Sequence, residues 1–478
     1  MSGSAAAIHL LFLAAATCFV LGLHLMNSPA TARRGNQLSA AGMTAAVATT
    51  VGQMVRDGVI TTAGLLVLVT GAALGAGLGL FWARGVKMTA MPQLVSVFNA
   101  AGGGAAALVA FADAVRLGGA AGLAHAAGQT TVATGLDVVI GSVTFSGSLV
   151  AAGKLQGLVT GAPVVFRGAR LLNVVLAAVA VSGVALIIAG HGGTIVLGLV
   201  ALAALGFGVT MVVPIGGADM PVVISLLNAL TGTAVAIAGF VLDTSVLIIA
   251  GALVGASGTI LTVLMAEAMN RSIIGIMVGG FGTGESTGDP TGPATGTGTT
   301  APVHRVSADD AAIQLAYASK VIIVPGYGLA AARAQYEVVA LATLLEQHGI
   351  DVCYAIHPVA GRMPGHMNVL LAEAHVPYPQ MKELGEVNPE FAQTDVALVI
   401  GANDVTNPAA RRPGNPLSGM PILDVDQARS VIVIKRSMGH GYAGVDNELY
   451  TDPKTGMLFN DAKAGLAALT AAVGTLVH

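Results

Sequence analysis

Lys320-Val-Ile-Ile-Val-Pro-Gly-Tyr-Gly-Leu-Ala-Ala331 reads as a buried strand running into a glycine turn and then a helix. The apolar run 321–324 suits a strand covered on both faces. Gly326-Tyr327-Gly328-Leu-Ala-Ala331 fits G-x-G-x-x-A in the required place, between strand and helix. In that pattern Gly326 permits the tight turn, Gly328 lets a dinucleotide pyrophosphate approach the backbone, and Ala331 packs the helix on the sheet. Val-Pro-Gly-Tyr-Gly also resembles a potassium filter, but it occurs once, in a charged segment. Around it, strands and helices alternate: strand 320–324, helix 329–347, strand 350–356, helix 366–374, strands 396–400 and 431–435, and a last helix from about 461. Ser307, with Asp310 three residues on, caps a helix ahead of them. The alternation predicts a Rossmann-like α/β domain with a parallel sheet over residues 304–478.

Upstream the chain changes character. Residues 1–270 carry 15 Asp, Glu, Lys and Arg, whereas residues 271–478 carry 32. Nine apolar spans are predicted, at about 8–26, 38–55, 59–82, 91–112, 131–152, 171–189, 194–213, 221–241 and 246–266, the second being the weakest. Ala30-Thr-Ala32 resembles a leader cleavage site, but no Lys or Arg precedes the first span and its apolar run is long, so it reads as a retained helix. With nine spans the two ends of the chain fall on opposite sides. One set of loops holds Arg33, Arg34, Arg84, Lys87, Lys154, Arg167, Arg170 and Arg271; the other holds Arg56 and Arg116. The richer set is cytoplasmic by the positive-inside rule, which puts the C-terminal domain in the cytoplasm and the N-terminus outside. Residues 1–270 thus form a membrane all-α bundle. Residues 271–303, rich in Gly and Thr, read as a flexible linker.

Polar residues inside the spans are costly in lipid and belong on faces turned inward. Asp137, Gly141, Thr144 and Ser148 share one face of span five by their 4-3-4 spacing, and Ser225, Asn228 and Thr231 one face of span eight. Asn99 precedes Gly102-Gly-Gly104 in span four. Asp219, just before Pro221, reads as the start of span eight. Gly71, Gly75 and Gly79 read as a helix-packing face.

In the C-terminal domain, three more loops follow strands, at the edge where such sheets bind ligands. They are 357–366, 401–407 and 439–447. A fold of this type that binds NAD places an acidic residue at the end of the second strand. Here that strand ends Ala355-Ile-His357, with Arg362 beyond, and Asp351 lies at the wrong end. A ligand with an additional 2′-phosphate is indicated, and Lys435-Arg436-Ser437 offers it two cations and a hydroxyl. No nucleophile–base pair or metal cluster stands out, and direct hydride transfer needs neither. Cys18 and Cys353 lie in different halves, so no disulfide framework is indicated. No basic block suggests nucleic acid.

Six stretches together resemble the beta subunit of the proton-translocating nicotinamide nucleotide transhydrogenases: GGADMPVVISLLNA (216–229), AMNRSIIGIMVGGFG (268–282), VPGYGLAAARAQ (324–335), IHPVAGRMPGHMNVLLAEAHVPY (356–378), GANDVTNP (401–408) and IKRSMGHGYAGVDN (434–447). The resemblance covers nearly the whole chain. It implies hydride transfer from NADH to NADP coupled to inward proton movement across a bacterial inner (plasma) membrane. This chain would supply the NADP(H) site and most of the membrane domain. NAD(H) would be bound by an alpha subunit partner carrying further membrane helices, in a dimer of alpha-beta units embedded in lipid.

Carried over by motif, the NADP contacts are Tyr327, Val359, Ala360, Gly361, Arg362, Met363, Pro364, Asn403, Asp404, Val405, Thr406, Asn407, Gly419, Met420, Lys435, Arg436, Ser437, Met438, Gly439, His440, Gly441, Tyr442, Asp461 and Ala462. In this family the nucleotide lies reversed across the sheet, so Gly326 and Gly328 would not cradle the pyrophosphate in the usual way. Asp404 resembles the carboxylate beside the nicotinamide. Asp219 and Asn228 match positions tied to proton transfer, and Asn99 stands where some members have histidine. The competing class is a cation channel or transporter regulated by a C-terminal nucleotide-binding domain. A repeated filter loop and an acidic ribose ligand, which would favour it, are both missing.

Overall fold

A computed structural model gives the architecture. It describes residues 3–476 except 27, 59, 88–89, 118–127, 161–163, 165, 167, 192–193, 217–218, 270–271, 275, 277–302, 362–364, 416, 440, 442 and 444. Nearly all of the linker 271–303 lies outside the described residues, as do the cations Arg167 and Arg271. The chain divides into two compact units.

The first unit is helical. Among the described residues nine helices are long and apolar enough to cross a membrane. They are α1 (Gly3–Leu25), α2 (Pro29–Arg56), α3 (Thr62–Gly85), α4 (Met91–Arg116), α5 (Gly128–Gln156), α6 (Ala169–Ile188), α7 (Thr194–Val212), α8 (Met220–Val241) and α9 (Ser245–Ala268). The weak second span is a full helix, longer than its apolar run. Extended Ser28 precedes it and Pro29 opens its first turn, where a missing N–H costs nothing.

Helix α5 is the most enclosed of the nine and packs on α4, α7 and α8. Small residues make this possible. A β-carbon on Gly103 would lie 2.9 Å from Thr144 Cβ, and one on Gly141 would lie 2.9 Å from Ala107 Cβ. Backbone contact of this closeness replaces the hydrophobic drive that lipid removes. By contrast α3 buries none of its residues, and nothing lies within 4 Å of where β-carbons on Gly71, Gly75 and Gly79 would stand. The expected packing face is open in this chain.

The second unit carries six parallel strands in the order β3-β2-β1-β4-β5-β6. These are β1 (Lys320–Pro325), β2 (Asp351–Ile356), β3 (Met381–Glu383), β4 (Val396–Ile400), β5 (Ser430–Lys435) and β6 (Thr455–Phe459). The helices are α10 (Ala308–Ala316), α11 (Tyr327–Ala332), α12 (Gln335–Gln347), α13 (His366–Glu373), α14 (Leu384–Val387) and α15 (Ala462–Leu476). Side chains of β1 alternate between two cores. Val321 and Ile323 enter one with Leu341, Leu345 and Leu466; Ile322 and Val324 enter the other with Phe391 and Leu449. Each such fully buried side chain contributes about 1.5–3 kcal/mol by removal from water.

Several features depart from the sequence reading. The predicted helix 329–347 is two helices, because Arg333 adopts a left-handed φ of 52°. No glycine or proline announces that break. Strands β3 and β6 escaped detection: β3 spans three residues, and β6 contains Gly456. That glycine admits the preceding segment, since a β-carbon there would lie 2.7 Å from Val306 Cγ1. The predicted Ser307–Asp310 capping box is present in both directions.

Candidate functional site at the carboxyl edge of the sheet

The strand order reverses between β1 and β4, which makes that point the expected crevice for a ligand. Here the two loops close on each other. Gly326 N donates to Ile400 O at 2.9 Å, and Gly328 N donates to Gly401 O at 3.0 Å. A β-carbon on Gly328 would lie 2.6 Å from Gly401 Cα, and Gly401 has a φ of 67°. Both glycines of the fingerprint therefore spend their close approach, and these two N–H groups, on the β4 loop.

A polar network lies beside them. Asn447, buried, donates to Asn403 O at 3.0 Å, and Tyr450 donates to Ala402 O at 3.2 Å. The Asn403 amide orientation that satisfies its neighbours accepts from Gly441 N at 2.7 Å and Lys435 Nζ at 3.3 Å. Asp404 accepts from Ala443 N at 3.0 Å, so its carboxylate is fixed against the loop after β5. Lys435 donates to Gly439 O at 2.5 Å and lies over the Tyr450 ring, 4.4 Å from its centroid. Burial lowers the Lys435 ammonium below its ordinary range, while Asp404 and Asp446 oppose that shift. Arg436, Ser437, Met438 and Gly439 are exposed. Asp404, Lys435 and Gly441 are thus brought together, and the Asn403 amide joins them.

Not every carried-over residue faces outward. Thr406 and Asn407 have no exposed surface. Thr406 donates to Asn403 O at 2.9 Å, and Asn407 donates to Asp446 O at 3.0 Å; both hold the loop. Val405 is partly buried in the core. Tyr327, the first residue of α11, is half-buried. Asp461, half-buried, precedes α15 and accepts from Lys463 N at 3.0 Å; Ala462 is buried. Arg362, Met363, Pro364, His440 and Tyr442 lie outside the described residues.

The loop after β2 is fastened by His357, which is 2% exposed. Its Nε2 is 2.8 Å from Pro421 O, and its Nδ1 accepts from Val359 N at 3.2 Å. That pairing requires the neutral ring with the proton on Nε2. Burial pushes its pKa down to about 4, against a weaker upward pull from the Pro421 carbonyl. His357 so ties the loop of Val359, Ala360 and Gly361 to that of Gly419 and Met420. Gly419 and Met420 also line an open cleft with Arg411, which is held by Asp424 at 2.5 Å and Asp426 at 2.6 Å.

The unfolded imidazole binds a proton near pH 6.5, whereas the folded one waits until about 4. This contribution to stability is therefore complete above pH 6.5 and falls as pH drops toward 4, by roughly 3 kcal/mol. Denaturant titrations of residues 301–478 at pH 7 and 4.5 should show that loss, and His357→Gln should lack it. Parallel pH curves for the two proteins would contradict the assignment.

In the membrane unit Asn99 is buried on α4, donating to Ile224 O of α8 at 3.4 Å. Thr231 of α8 donates back to Asn99 O at 3.3 Å. The expected α8 stripe is shared between neighbours, because Ser225 donates to Gly258 O of α9 at 3.2 Å. Asn228, half-buried, falls between them. Asp219 is half-buried at the position just before α8. Lys154, read as a loop cation, is 5% exposed at the end of α5. Its ammonium caps the end of α7 by donating to Val213 O at 2.5 Å and Ile215 O at 2.8 Å.

The sequence reading overlooked Tyr450 and Asn388. Tyr450 follows the last recognised motif. Asn388 donates to Ile422 O at 2.9 Å and accepts from Asp424 N at 3.1 Å, supporting the 419–424 loop. Neither sits in a patterned segment that could have signalled it.

Over residues 8–472 the chain matches the family model described as NAD(P) transhydrogenase beta subunit. It is 48% identical over 459 residues to the NAD(P) transhydrogenase subunit beta of Rhodospirillum rubrum, covering 95% of this chain and 96% of that one. A second protein of that name, from a specified strain of the same organism, matches to the same extent.

Proposed function

This chain belongs to the NAD(P) transhydrogenase beta subunit family, and on that premise we propose that it binds NADP(H) and couples hydride transfer from NADH to proton movement. The observation that carries the nucleotide assignment is the carboxyl edge of the sheet. Exposed Arg436 and Ser437 follow directly on β5. These residues fit a 2′-phosphorylated dinucleotide. When bound, the nicotinamide supplies the carbon that accepts or gives the hydride.

The chain's own residues hold and orient. Arg436 and Ser437 bind the phosphate. Asp404, fixed by the Ala443 amide, orients the nicotinamide end. His357 keeps two binding loops in register. The network of Asn403, Asn447 and Tyr450 keeps the loop after β4 from moving independently. Residues 1–270 are the proton-translocating domain, 271–303 the tether and 304–478 the nucleotide domain.

NAD(H) comes on an alpha subunit, in a dimer of alpha-beta units in a bacterial inner membrane. The C-terminal domain is cytoplasmic and the N-terminus outside, as the arginine and lysine bias favours. Asp219, at the cytoplasmic start of α8, and Asn228, about 13 Å deeper by the helical rise, couple the proton to the nucleotide site. A charge change at Asp219 biases a two-state equilibrium of that site. In vesicles containing the chain and its alpha partner, Asp219→Asn and Asn228→Leu should impair proton pumping and nucleotide release together. Normal pumping by both variants would show that these residues are structural.

A further inference from the structure

Asp137 lies in the first half of α5 with 0% exposure, and neither carboxylate oxygen has a hydrogen-bond partner among the described residues. Buried carboxyl groups in proteins are almost always bonded, and inside a membrane span they are rare. Packing alone does not call for a carboxyl group there, since an apolar side chain of similar size would bury no unsatisfied polar atom.

Among the described residues, no charged side chain on the helices packed against α5 is hydrogen-bonded to Asp137. On α4 the charged residues are Asp113 and Arg116, paired with each other at 3.2 Å near the C-terminal end. Helix α6 has Arg170 in its first turn, and α7 and α8 have no charged residue, with Asp219 lying just before α8. On α5 itself Lys154 sits at the opposite end, bonded to Val213 O and Ile215 O.

Asp137 instead ends a polar seam. Along α5 it shares a face with Gly141, Thr144 and Ser148, all buried. Ser96 of α4 donates to Ser148 O at 3.0 Å. Asn99 and Thr231 join α4 to α8 between those points. The seam covers about 16 Å of α5 by the helical rise. Its hydroxyls and the Asn99 amide can order water, but Asp137 is the one ionisable side chain among them.

We propose that Asp137 binds and releases the transported proton within this bundle. The step rests on the proton-coupling reading above. A hydrated proton loses an O–H bond to water as the carboxylate gains one, giving the neutral acid. The reverse transfer, to water on the other side, restores the carboxylate, and no oxidation is involved.

The test uses the complete complex with its alpha partner in vesicles. A hydrophobic carbodiimide reacts with protonated carboxyl groups in apolar surroundings. Peptide mapping of the wild-type complex should find the adduct on Asp137, forming more slowly as pH rises. Asp137→Asn should abolish proton translocation, while Asp137→Glu should retain it with a displaced pH profile. An Asp137→Asn complex that pumps like wild type, or a wild-type complex without the adduct, would overturn the proposal. If neither variant assembles, the wild-type adduct decides. A wild-type complex that moves no protons would instead overturn the coupling reading itself, a result distinct from a pumping Asp137→Asn complex.

Discussion

Purified alone, this chain is expected to show no transfer of hydride from NADH to NADP, and mixing it with an NAD(H)-binding alpha chain should restore the whole activity. The reason is structural economy. Among the described residues there is one sheet, with one reversal of strand order, and therefore one dinucleotide crevice. Among its described residues the other unit contributes long apolar helices and no sheet to bind a second nucleotide. Hydride transfer needs both nicotinamides at contact distance, so a single site leaves the donor in solution. A direct assay of nucleotide exchange with and without the partner measures this. Robust turnover by the single chain would mean that a second site exists.

The next largest effect is expected at the strand end 435–437. Arg436→Ala should weaken NADP binding by about 1.5–3 kcal/mol, roughly ten- to a hundredfold, through loss of one charge-assisted phosphate contact. Affinity for NAD, which lacks the 2′-phosphate, should barely change. Arg436 is the cleaner probe of the two cations because it is exposed. Lys435 also holds Gly439 O and covers the Tyr450 ring. Its removal would therefore loosen the loop as well as delete a charge. Calorimetry with both nucleotides separates these effects, and equal losses for NADP and NAD in Arg436→Ala would contradict a 2′-phosphate contact.

The parts of this fold that were legible in the sequence are those with a period or a composition. Nine apolar runs became nine helices among the described residues, and the buried runs at 320, 351, 396 and 431 became strands of a parallel sheet. Strand β3 was too short to carry a period, and Gly456 in β6 reports contact with Val306, not strand propensity. The break at Arg333 depends on a left-handed residue of ordinary type.

In the candidate site the loops were legible from their positions after strands, but their wiring was not. Nothing local to Gly328 says that Gly401 will meet it, and nothing in His357 names Pro421, 64 residues away, as its acceptor. Lys154 was misread for a related reason. A lysine beside a predicted loop looks solvated, and only the neighbouring end of α7 reveals its acceptors. Long-range hydrogen bonds leave no periodic trace in a single chain.

The measurement that bears most directly on the central claim is the nucleotide preference of residues 301–478, the fragment holding the six-stranded sheet. The account predicts that NADP(H) co-purifies with it, and that calorimetry after its removal shows strong preference for NADP(H) over NAD(H). Equal affinity for the two nucleotides, or binding of neither, would contradict it.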